Sequence, residues 1–101
     1  MNVATPNHRE TASDYSAVVT VLNTNWRVIR CRDDIQWILQ RRDGSRAGRG
    51  RWTGSSYHTD REALIAFCRT RAGRGAAAGM AILAALPERY PAKAGTADAS
   101  R

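Results

Sequence analysis

The chain has 101 residues, a net charge of +7 and a hydrophobic fraction of 43%, much of it alanine. A chain of this length supports one domain with one modest core. It holds no apolar run long enough to span a membrane, and its start, with Asn7, His8, Arg9 and Glu10, is too polar for a secretory leader. The expected compartment is therefore the cytoplasm, with Cys31 and Cys68 as free thiols.

Residues 1–13 are polar, contain Pro6 and show no periodicity, so they read as a disordered tail ahead of one compact unit over 14–90. Residues 17–22 (AVVTVL) are apolar and β-branched, which predicts a strand; a helix capped by Ser13 or Asp14 is the alternative. Residues 26–32 (WRVIRCR) and 35–42 (IQWILQRR) predict a hairpin joined at Asp33–Asp34, a connection without the glycine that tight turns favour. In the second of these strands the two-residue period puts Ile35, Trp37 and Leu39 on one face and Gln36, Ile38, Gln40 and Arg42 on the other.

Residues 43–50 (DGSRAGRG) contain no large apolar group and read as a flexible basic loop. A third hairpin strand follows over 51–57 (RWTGSSY), weakened by Gly54. Thr59 and Glu62 have capping-box spacing, which predicts a helix with Ala63, Leu64, Phe67 and Cys68 on its apolar stripe, ending near Arg71 with Gly73 as a left-handed cap. Residues 76–86 are apolar nearly all round and stop at Pro87; they suit a second helix, packed in the core or forming a homodimer contact. Residues 91–101 have tail composition. The expected fold class is α+β, a small antiparallel three- to four-stranded sheet packed against one or two helices.

The charge is localised. Residues 26–75 carry twelve arginines against five acids (Asp33, Asp34, Asp43, Asp60 and Glu62), which accounts for the whole excess. A localised basic excess is the footprint of a polyanion binder. The bland explanation is compositional: fifteen arginines, one lysine and abundant alanine are what a GC-rich genome produces. The basic loop, with Arg46, Arg49 and Arg51, is similar to arginine–glycine segments that track phosphates. Of the three tryptophans, Trp37 and one of Trp26 or Trp52 are expected in the core, leaving the other to stack on a base or fill a partner's pocket.

Catalytic chemistry is not supported by spacing. His8 and His58 lack a nucleophile partner, and Tyr57–His58 is the sole vaguely catalytic pair. Neither cysteine has metal-ligand spacing, and no cofactor is expected.

The stretch RWTGSSYHTDREAL (51–64), ending a three-stranded sheet and opening a helix, resembles the DNA-binding domain of plant ethylene-response factors. The arm-binding domain of tyrosine integrases is similar in layout. The resemblance covers about 26–71 and implies that a sheet face enters the major groove while the helix supports it. By position it puts Arg30, Arg32, Trp37, Gln40, Arg42, Arg51 and Thr53 on DNA. The strand opening lacks the glycine usual in that family, and the loop before Arg51 is long and glycine-rich.

The expected function is a small, non-enzymatic basic protein that binds nucleic acid, DNA ahead of RNA. Binding would use the sheet face together with Arg46, Arg49, Arg51 and Trp52. The alternative is a phage or mobile-element protein that binds an acidic or nucleic-acid-handling host protein, an anti-CRISPR protein being one example.

Overall fold

A computed structural model describes residues 7–43, 51–73 and 77–91. The strands are β1 (Val18–Asn23), β2 (Trp26–Arg30), β3 (Trp37–Arg42) and β4 (Trp52–His58); helices α1 (Arg61–Ala72) and α2 (Ala77–Ala84) follow. The strands form one antiparallel sheet in the order β1-β2-β3-β4. The chain is thus an α+β domain with a four-stranded sheet and two helices, and residues 17–22 supply a strand. Among the described residues no helix is long and apolar enough to cross a membrane.

The register divides the side chains between two faces. The pairs Val28↔Leu39 and Trp37↔His58 place Val28, Leu39, Trp37 and His58 on the face that the helices cover. Leu22, Val28, Trp37, Leu39, Leu64, Ile65, Cys68 and Leu83 form one buried cluster there. Each fully buried leucine contributes about 2–3 kcal/mol of transfer free energy. Helix α2 lies close on β1 at Gly79, where an added Cβ would stand 3.0 Å from a Leu22 methyl carbon.

Helix α1 begins one residue later than the capping box predicts. Asp60 is the N-cap, its side chain accepting from the Ala63 N–H at 2.9 Å. Thr59 stays outside the helix, its carbonyl accepting from the Tyr90 N–H at 2.8 Å. Glu62 turns away and pairs with Arg61 at 3.0 Å. The buried stripe is Leu64, Ile65 and Cys68, whereas Phe67 lies at its margin, 39% exposed and beside the His58 ring. Gly73 has the expected positive φ of 83°, but its ψ of −166° leads the chain straight on. The Ala72 carbonyl instead accepts from the Asn23 side-chain amide at 3.0 Å.

The opposite face is covered by residues 7–17. The tail expected over 1–13 is therefore corrected for 7–13; residues 1–6 lie outside the described residues. Tyr15, Ile29, Cys31 and Ile38 form a second, smaller apolar cluster on this face. The two cysteines therefore sit in clusters on opposite sides of the sheet. Residues 85–91 run back past the start of α1, and Tyr90 meets Trp37 edge-on at 4.9 Å between ring centroids. The β2–β3 turn is closed by Asp34 with φ of 61°, and its carboxylate accepts a hydrogen bond from the Tyr90 hydroxyl.

Candidate functional site

The expected site residues separate into four groups. Trp37, Gln40 and Trp52 are 1%, 2% and 4% exposed, so they are corrected from contact residues to core. For Trp37 the reason is that it packs in the helix-side cluster with Leu64, Ile65, Cys68 and Leu83. Trp26, the tryptophan left as the candidate for stacking, is half-buried against the helix-side cluster. Arg30 and Arg32 are exposed at the β2–β3 turn. Arg42, Arg51 and Thr53 lie at the other end of the sheet, where β3 leaves and β4 enters. Arg46 and Arg49 lie outside the described residues.

Arginines collect at that second end. Arg41 and Arg42 come from β3, Arg51 immediately precedes β4, and the last turn of α1 adds Arg69 and Arg71. Helix α1 reaches this end because it starts beside β4 and runs to the β1–β2 hairpin, where Asn23 caps Ala72. Arg71 is fixed to Ser55 of β4 at 2.6 Å. Asp43 is the one acid here among the described residues, against five arginines.

The turn end is balanced differently. Arg30, Arg32, Arg61 and Arg89 mix there with Asp33, Asp34, Asp60, Glu62, Glu88 and Glu10, whose carboxylate accepts from the Arg32 backbone N–H. The positive field is therefore polarised along the strands. Arg69 and Arg71 were absent from the sequence-based site because only the crossing of α1 brings them to the basic end.

Arg27 is a buried arginine, 2% exposed, on a strand whose other buried residues, Val28 and Ile29, are apolar. Its Nε donates to Gln40 Oε1 at 2.7 Å, Nη1 to the Ser13 carbonyl at 3.2 Å, and Nη2 to the carbonyls of Glu10 and Ala12 at 3.0 and 2.9 Å. Gln40 in turn donates to the Glu10 carbonyl at 3.0 Å. Below the guanidinium lies the Trp52 ring, 4.4 Å from Arg27 Cζ and 5.2 Å from Arg42 Cζ. Burial and the neighbouring Arg42 lower the Arg27 pKa to about 10. It stays protonated at neutral pH and organises the N-terminal segment by its donors.

The Tyr57–His58 pair divides across the sheet, because adjacent strand residues face opposite ways. His58 is 9% exposed, bonded to the Ser56 hydroxyl at 2.8 Å and packed on Phe67. Burial, then Arg71, lowers its pKa, against a smaller opposing effect of Asp60. Burial raises the Cys68 thiol to about 11, which keeps it protonated and unreactive. Among the described residues no cluster of three or more His, Cys, Asp or Glu side chains has the arrangement of a metal site. Comparison with family models, curated proteins and solved structures found no match.

Proposed function

We propose that the chain is a non-enzymatic nucleic-acid-binding protein that engages phosphates with the basic end of its sheet. The supporting observation is that Arg41, Arg42 and Arg51, with Arg69 and Arg71 in the last turn of α1, belong to the end of the fold opposite the acid-rich turn. Among the described residues no ion pair joins Arg41, Arg42 or Arg51 to a carboxylate. Duplex DNA is the favoured ligand, because arginine contacts to phosphates position a protein on a duplex without opening its bases. Affinity then depends steeply on salt.

The test is the slope of log affinity against log salt for a duplex, compared between wild type, an Arg41→Ala/Arg42→Ala/Arg51→Ala variant and an Arg30→Ala/Arg32→Ala variant. The first variant should lose affinity and flatten the slope by about 0.9 for each phosphate contact removed. The second should change little. Equal losses in both, or no duplex binding at low salt, overturns the proposal.

A protein partner is the second reading, favoured by the aromatics around β4. This edge strand has Tyr57, 57% exposed, on one side, and Phe67 with Arg71 over its ring at 5.1 Å on the other. Exposed aromatics beside arginine are the composition of interface anchors. Such a partner would be an acidic, nucleic-acid-handling protein, as for an anti-CRISPR inhibitor. A complex captured with host protein that survives nuclease and is lost in Tyr57→Ala supports this reading; loss of the complex on nuclease treatment returns it to nucleic acid.

A further inference from the structure

A cavity of about 400 Å³ opens beside the buried arginine, on the sheet face away from the helices. Its walls include Arg27, Arg42, Trp52, Ser13, Asn23 and Thr24. That volume is within the range of small-ligand sites. The Asn23 side chain is already committed, donating to the Ala72 carbonyl and accepting from the Asn25 N–H at 2.9 Å. The hydroxyls of Ser13 and Thr24 have no protein partner among the described residues.

The charge in this cavity is unusual. Every acceptor around the Arg27 guanidinium is neutral, three main-chain carbonyls and one amide. Four of its five N–H groups are used, which leaves one on Nη1. The nearest charged group acting on it is another cation, Arg42, and no carboxylate of the described residues pairs with either. Burying a cation without a counter-ion is costly, and a second cation beside it adds repulsion. An anion in the cavity would reverse both.

We propose that this cavity is a phosphate socket, binding a phosphomonoester dianion between Arg42, the free Nη1–H of Arg27 and the hydroxyls of Ser13 and Thr24. Two guanidinium groups match the charge of a monoester better than that of a backbone diester. The Trp52 ring holds both cations in position instead of stacking on a ligand, being 4% exposed. The socket and the basic end share Arg42, but the socket does not require that duplex DNA bind there. Its ligand is a terminal phosphate of a nucleic acid or a free mononucleotide, two sources of the same group.

The test follows the tryptophan indole N–H signals by ¹H–¹⁵N NMR, assigned with Trp52→Phe, during titration with orthophosphate, adenosine 5′-monophosphate and adenosine. Orthophosphate and the monophosphate should shift the Trp52 signal at saturable concentrations; adenosine should not. Arg42→Gln and Thr24→Val, which leave the Arg27 bonds to 10–13 in place, should weaken the monophosphate about tenfold and severalfold. A 5′-phosphorylated oligonucleotide binding more tightly than its 5′-hydroxyl twin assigns the socket to nucleic-acid ends; equal binding of the two, with the monophosphate response intact, assigns it to free nucleotides. Absence of a Trp52 response to both orthophosphate and the monophosphate, or an Arg42→Gln variant that binds as wild type does, overturns the socket even if duplex binding stands.

Discussion

The two faces of the sheet are closed by different physics. On the helix side, Trp37, Leu39, Leu64 and Leu83 exclude water by apolar contact, which is non-directional and collective. On the other side, Arg27 and Gln40 hold residues 10–13 by directional bonds to main-chain carbonyls. The first closure degrades gradually as methyl groups are removed; the second hangs chiefly on Arg27, with one bond from Gln40 and the Tyr15 cluster beside it. The face held by hydrogen bonds should therefore open locally while the helix-side core stays folded.

Substitutions on each face test that difference. Leu64→Ala should cost the most, about 2–5 kcal/mol of global stability in denaturant unfolding, because it leaves a cavity at the centre of the helix-side cluster. Arg27→Met should cost about 2–3 kcal/mol, from carbonyls left without donors. Its signature should be local: amide exchange in 9–16 accelerates while the amides of β3 and α1 keep their protection. Uniform loss of protection in Arg27→Met would show the two faces to be one cooperative unit.

Smaller effects sharpen the account of the helix side. Asp60→Ala should cost about 1 kcal/mol by loss of the α1 N-cap, and Thr59→Ala should be close to neutral. The reverse order would return the cap to Thr59. His58 is held neutral by burial, with Arg71, Asp60, Ser56 and Phe67 around it. Its folded pKa lies below the ordinary 6.5, so the unfolded chain takes up the proton first as pH falls. Stability should thus be independent of this group above that value and decline below it, and His58→Gln should remove that part of the decline.

The hairpin, both flanking strands and α1 were legible because each carries a local signal: β-branched runs, two-residue alternation, and good cap residues before an apolar stripe. Thr59 and Asp60 are both good caps; Asp60 takes the role, and Tyr90 bonds the Thr59 carbonyl from far along the chain. Residues 7–13 have no apolar periodicity, and what orders them is their carbonyls, which no side-chain pattern displays. A signal did exist in Arg27 and Gln40, polar residues at interior strand positions that pair across the ladder and must find acceptors. The localised charge was readable as a sum, but its collection at one end was not. Arg30 and Arg42 look equivalent in sequence, and the hairpin sends them to opposite ends of the sheet.

The turn between β2 and β3 also bears on the order of folding. Asp34 adopts the left-handed region with φ of 61°, which aspartate reaches more readily than most side chains. The turn carries its own bonds, from the Asp34 N–H to the Cys31 carbonyl and from the Cys31 N–H to the Gln36 carbonyl, both at 2.9 Å, and the Tyr90 hydroxyl, 56 positions away, adds one to the Asp34 carboxylate. The hairpin can therefore close from its own residues, and docking of the segment beyond α2 adds a long-range contact to a short-range element. Tyr90→Phe should accordingly speed unfolding far more than it slows folding, since the contact it removes is made late.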